Sequence, residues 1–298
     1  MKAVADEPPL WTWAAALLLA AICVGLCWLC VLRFEPAYES YFLNLDRLSS
    51  GRGSSPLVVI IGTSKTRCGI EADSQLEARL AHLGSPARVV RFSEGWATAW
   101  DFDQLFSRLP SERPALVAIE SELVDLEPNA FRLKQMPPER GWRERTRNVL
   151  TYLLARPAVT YASRENRDPK ADDCGFGAGT AEWRQDLLAT RRASTPEERA
   201  PYYRLAERLQ ALNVPVVLLG LPPRHDKLGA KPQKLAAAEQ RVRDEVLASG
   251  LFKSFGDPPA FAPEEFLDYG HLSPRGRARF SAWLAPRIAT FVRRAAPR

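Results

Sequence analysis

Residues 58–70 read VVIIGTSKTRCGI, and the architecture of the chain turns on them. Val58, Val59, Ile60 and Ile61 form an unbroken apolar run, the pattern of a strand buried on both faces. Gly62 permits a sharp exit from the sheet. Thr63 and Ser64 then stand at the strand's carboxyl end, where open α/β sheets place their ligands. Working outward, further strands are predicted over residues 87–92, 115–119 and 214–219, with a short one over 251–255. Helices are predicted between them. Leu76, Leu80 and Leu83 mark the first, with Asp73 as its N-cap and Gly84 as terminator. Phe102, Leu105, Phe106 and Leu109 mark the second. Thr195-Pro196-Glu197-Glu198 is a capping box with Pro at the first helical position, opening a helix to about Leu212. Another helix spans roughly residues 232–248 and ends at Gly250. Ser273 caps the last, with Pro274 at its start and Pro286 as a kink or break, running to about Arg294. Strand and helix alternate, which predicts an α/β fold: a parallel sheet with helices on both faces.

The composition is that of a globular protein: 298 residues, 46% apolar and 26% charged. A net charge of +6 is too mild to argue for nucleic acid, and no zinc spacing, repeat or RNA-binding signature is present. It suits a domain near an anionic membrane or polymer, and equally a solvated basic surface. Residues 8–32 carry no charge over 25 positions. At about 1.5 Å per residue this run can cross roughly 30 Å of hydrocarbon. Trp11, Trp13 and Trp28 suit its interfaces. Arg33-Phe34-Glu35-Pro36 offers no small-residue cleavage site, so an uncleaved single-span anchor is expected. The predicted organisation is an anchor over 1–34, a connector over 35–56 and an α/β domain over 57–298. That domain carries an insertion at about 128–193, with basic clusters at 140–147 and 164–170. Lys2 before the span is offset by Asp6 and Glu7, while Arg33, Arg47 and Arg52 follow it; the charge count leans toward a cytoplasmic domain. Cys23, Cys27 and Cys30 lie in the apolar run as small hydrophobes. Cys68 and Cys174 remain, a pair that an oxidising compartment would allow to bridge.

A second stretch, Asp268-Tyr269-Gly270-His271-Leu272-Ser273-Pro274, lies about 200 residues after the first. Acyl chemistry needs a nucleophile, a base, a group that orients the base and donors for an oxyanion. Ser64, His271 and Asp268 are the candidates, the last two close enough for one local turn to present both. His225, at another strand's carboxyl end after Pro222-Pro223-Arg224, is the rival base. His82 precedes Gly84, where a helix-dipole role suits it.

The two stretches resemble blocks I and V of the SGNH (GDSL-like) hydrolase superfamily. The resemblance implies a flavodoxin-like sheet order 2-1-3-4-5, a catalytic Ser64–His271–Asp268 set, no metal and no cofactor. It implies oxyanion donors at the Ser64 N–H and at Gly95, within Ser93-Glu94-Gly95-Trp96. Block III, Gly-x-Asn-Asp, is absent; Ile119-Glu120-Ser121-Glu122 stands there. Ser121 is the candidate replacement donor, while Glu120 would repel an oxyanion unless protonated or turned away. Gly-Thr-Ser for Gly-Asp-Ser, the lost block III and the N-terminal run resemble membrane-anchored SGNH proteins that O-acylate envelope glycans beside a multi-span O-acyltransferase. That resemblance implies an inner-membrane protein with an extracytoplasmic domain, against the charge count. It would move acyl, foremost acetyl, groups on a glycan. The alternatives are a plain serine esterase or lipase-like hydrolase and a non-catalytic accessory subunit of a polysaccharide assembly complex. Trp96 and Trp100 suit either a sugar-stacking surface or core packing.

Overall fold

The structure is a computed structural model. It describes residues 9–43 (side chains to residue 33), 45–49, 55–93, 97–127, 146, 150, 174, 191–226 and 231–295. The chain divides into two compact units, Met1–Phe42 with Glu139–Val159 and Leu43–Pro138 with Thr160–Arg298. The first contains nearly all of α1 (Leu10–Leu43). By length and composition, Leu10–Arg33 of α1 is a candidate membrane span, and its Leu and Trp side chains are largely exposed.

The helix runs through much of the expected connector. Arg33 and Glu35 end the apolar signal, but helical hydrogen bonding does not require apolar side chains. After it comes the short α2 (Asp46–Ser49), with Leu45 and Leu48 fully buried in the second unit's core. The connector is therefore partly structural.

The second unit holds a five-stranded parallel sheet in the order β2-β1-β3-β4-β5. The strands are β1 (Leu57–Gly62), β2 (Arg88–Ser93), β3 (Leu116–Glu120), β4 (Val216–Leu219) and β5 (Phe252–Ser254). This is the expected order. β4 starts two residues later than predicted. The Val214 N–H closes the preceding helix onto Leu209 O at 2.9 Å, and Pro215 has no N–H to give.

Side chains alternate along β1. Leu57, Val59 and Ile61 enter one core with α5 (Asp103–Glu112), α7 (Pro196–Gln210) and α8 (Gln233–Ala248). Val58 and Ile60 enter the other with α4 (Asp73–His82) and α9 (Pro274–Ala295). β1 is buried along its whole length, each large side chain contributing about 1.5–3 kcal/mol. The apolar run is thus explained by helices on both faces.

The Thr195 capping box forms as expected: the Thr195 N–H donates to Glu198 Oε2 at 2.7 Å and the Glu198 N–H to Thr195 Oγ1 at 3.4 Å. Asp73 does not cap α4. It is the first helical residue, and its buried carboxylate pairs with Arg47 and Arg91. Arg91 is itself fully buried in β2 and donates to Ile70 O at 2.9 Å. α9 continues through Pro286 without a break, because Leu284, Ala285, Ile288 and Ala289 pack one face on both sides of it.

Most of the 128–193 insertion, with nearly all of both basic clusters, lies outside the described residues. Cys174 is described, and it is bonded to Cys68 with the Cα atoms 5.7 Å apart.

Candidate active site

Gly62 ends β1, Thr63 turns the chain, and α3 (Ser64–Gly69) begins at once. A Cβ on residue 62 would lie 2.1 Å from Thr66 Oγ1 and 2.7 Å from Glu120 Oε2, so only glycine fits this close approach. Ser64 is therefore the first residue of a helix at the carboxyl end of β1, an interior strand of the sheet. Its N–H is one of the first-turn amides that have no intrahelical acceptor.

The 268–271 segment is delivered by a small loop clamped at its base. Phe266 and Leu272 form an antiparallel bridge, the Leu267 N–H donates to His271 O at 2.8 Å, and the Ser273 N–H to Glu265 O at 2.8 Å. Asp268 Oδ1 accepts the N–H groups of Gly270 and His271 at 2.8 and 2.9 Å. This leaves Oδ2 for the imidazole, 2.7 Å from His271 Nδ1. His271 Nε2 is 3.1 Å from Ser64 Oγ. His271 is only 1% exposed. Burial would raise the Asp268 carboxyl, but its bond to His271 and the two backbone N–H groups hold it below the usual carboxylate range. An ionised Asp268 on Nδ1 fixes the tautomer in which Nε2 accepts the Ser64 hydroxyl proton.

The other expected residues divide. His225 is exposed on the loop after β4 and is not bonded to Ser64 among the described residues. Its neighbour Arg224 donates to Asp268 O at 2.9 Å and pairs with Asp226, bracing the loop that carries the carboxylate. Gly95 and Trp96 lie outside the described residues. Trp100 is 45% exposed rather than packed in the core. Ser121 opens α6 (Ser121–Asp125), and its hydroxyl accepts from Arg243 Nη2 at 3.2 Å. His82, the last residue of α4, is exposed.

Sequence reasoning missed a chain of alternating charge beside Ser64. Lys65 Nζ donates to Glu122 at 2.8 Å, and Lys231 bridges Glu122 (3.0 Å) to Glu239 (2.7 Å). Arg243 joins Glu239 (3.2 Å) to Asp125 (2.6 Å). Burial would raise the Glu122 carboxyl, yet Lys231, Lys65 and Arg191 hold it well below the usual range. Lys65, Glu122, Lys231, Glu239 and Arg243, with Leu221, Pro222, Pro258 and Tyr269, line a cleft of about 630 Å³. Ser64 and His271 are not lining residues, but their chain neighbours Lys65 and Gly270 are. Among the described residues no group of three His, Cys, Asp or Glu side chains is arranged to hold a metal.

The sequence matches no protein-family model, nor any curated protein. Among solved structures, the chain is similar to a GDSL-like lipase from Bacteroides thetaiotaomicron, at 14% identity and a TM-score of 0.40, covering 87% of this chain and all of the other. It is also similar to TesA, at 16% identity and a TM-score of 0.40, covering 79% of this chain and 99% of the other. The second unit has a flavodoxin-like α/β architecture, which rests on its own sheet order rather than on these similarities.

Proposed function

We propose that the chain is a membrane-anchored serine acyl-transfer enzyme of the SGNH type, moving an O-acyl group onto or off a glycan outside the cytoplasm. The observation that carries this reading is the run of contacts from Ser64 Oγ through His271 to Asp268, at 3.1 and 2.7 Å. In the proposed reaction His271 Nε2 takes the Ser64 proton as Oγ attacks the acyl carbonyl. Asp268 stabilises the imidazolium. The oxyanion meets the Ser64 N–H, with Gly95 and Ser121 as the further donors. The imidazolium returns its proton to the leaving oxygen, and the acyl group stays on Ser64 until water or a sugar hydroxyl takes it.

The cleft beside Ser64 favours a sugar over an alkyl chain. Its charged side chains suit hydroxyl groups, and its prolines and Tyr269 suit the C–H face of a pyranose. An alkyl chain there would strip water from Lys231, Glu122 and Glu239 with no bond in return. The Cys68–Cys174 disulfide fits an oxidising compartment. A multi-span membrane O-acyltransferase is the partner such a chain would work beside.

Two assays test the reading together: p-nitrophenyl acetate hydrolysis by the purified chain, and O-acetyl content of the cell-envelope glycan. Ser64→Ala should abolish both, and His225→Ala neither. Loss of ester hydrolysis with glycan acylation unchanged would leave a plain esterase. Full glycan acylation by Ser64→Ala, together with no ester hydrolysis by the wild type and loss of acylation when the chain is deleted, would leave an accessory subunit.

A further inference from the structure

Glu120 closes β3 beside β1 and is fully buried. Its Oε2 accepts the Thr63 N–H at 2.6 Å and the Thr66 hydroxyl at 2.6 Å, while Oε1 is 2.9 Å from the Thr63 hydroxyl. Thr63 in turn caps α3, its Oγ1 accepting the Lys65 N–H at 3.2 Å. Thr63 and Thr66 flank Ser64 on either side. The carboxyl occupies the space that glycine leaves at residue 62. One side chain from the neighbouring strand thus grips both sides of the turn that carries the nucleophile. It makes no hydrogen bond to Ser64 or His271 among the described residues.

We propose that Glu120 is a positioning residue for Ser64, holding the β1–α3 turn so that Ser64 Oγ stays within reach of His271 Nε2. The proposal rests on the reading of Ser64 as nucleophile. α3 has six residues, too few to hold itself, so its direction must come from tertiary bonds. A neutral carboxyl serves best. Burial, reinforced by the nearby Glu122 charge, pushes the Glu120 carboxyl up, against the bonds from Thr63 and Thr66. With its proton on Oε1, it donates to Thr63 Oγ1 while Oε2 accepts the other two donors. Both carboxyl oxygens are then partnered, and Glu120 adds no negative charge near the developing oxyanion. A glutamine can copy this pattern, with its amide N–H in place of the carboxyl O–H.

The test is the rate at which an alkyl fluorophosphonate labels Ser64 in the full-length chain, with the site located by mass spectrometry. In labelling, Oγ bonds to phosphorus, fluoride leaves and the proton passes to His271. The maximal labelling rate and the half-saturating concentration are read separately, beside thermal unfolding of each variant. Glu120→Gln should stay within about threefold of wild type. Glu120→Ala and Thr66→Val should lower the maximal rate on the order of 10- to 100-fold, with the half-saturating concentration within about threefold. If Glu120→Ala does not fold, Thr66→Val decides. Variants that only melt earlier and label at the wild-type rate would overturn positioning. So would Glu120→Gln as slow as Glu120→Ala, which would mean that the carboxyl itself exchanges a proton. A wild-type chain that labels no faster than Ser64→Ala would remove the nucleophile reading and this proposal with it, a result visible before any Glu120 variant is made.

Discussion

Ser64, His271 and Asp268 are bonded in series, so their substitutions should not add. Ser64→Ala or His271→Ala should each lower p-nitrophenyl acetate turnover by up to roughly 10⁶-fold, and Asp268→Asn by roughly 10⁴-fold. The double Ser64→Ala/His271→Ala should be hardly slower than either single change; additive losses would show that the two act separately. Asp125 offers a second test at this scale. It is fully buried, Arg243 reaches only Oδ2, and Oδ1 has no partner among the described residues. Burial pushes this carboxyl up to about 7, against the pull of Arg243. The folded value lies above the unfolded one, so the folded chain binds more protons in between. The Asp125 contribution to stability is therefore full below about pH 4 and is lost as pH rises through about 7. Asp125→Asn cannot titrate. Urea unfolding should show the difference between variant and wild type moving in the variant's favour from about pH 4.5 to about 7.5. A difference constant across that range would mean that Asp125 stays ionised throughout.

At the scale of elements, α3 is tied at both ends. Glu120 holds its start, and Cys68 near its end is bonded to Cys174, 106 positions further on. In the chain-entropy account, a bridge closing a loop of this size contributes about 4–5 kcal/mol. Adding dithiothreitol should lower the urea midpoint of the wild type and leave a Cys68→Ala/Cys174→Ala variant unmoved, at the lower value. A wild-type midpoint unaffected by reductant, with both thiols shown to be free, would mean that the bridge bears no part of the fold. Arg91 works on the same region from β2. A charged residue inside a buried strand looks out of place, until its bonds to the chain after α3 and to Asp73 are counted.

For the molecule as a whole, the apolar Leu10–Arg33 segment sets the question of place. The full chain should remain in the pellet after an alkaline carbonate wash; its recovery in the supernatant would end the anchor reading. A soluble version should begin at about residue 43 rather than 55, because Leu45 and Leu48 belong to the core of the sheet unit. A phosphatase fused after Arg298 should be active if that unit lies outside the cytoplasm. A silent fusion would favour the loop charge count, in which Arg33, Arg47 and Arg52 follow the span.

Much of the fold was legible because its signals are local. The apolar run of β1, the Thr195 capping box and the turn from Asp268 to His271 each depend on neighbours a few positions apart, and each stands where it was expected. What required the tertiary structure is everything joined across the sheet. His225 and His271 both follow strand ends; only packing brings His271 to Ser64, 207 positions away. Glu120 read as a liability for an oxyanion: the expected strand order puts β3 beside β1, but no pattern in the chain shows Thr63 and Thr66 waiting for its carboxyl. The charge chain from Lys65 to Asp125 was hidden altogether for the same reason, and the Cys68–Cys174 bond was expected only because two cysteines were left outside the apolar run. Hydrophobic period is a property of consecutive residues, whereas a bond between distant side chains exists only once the strands that carry them are ordered.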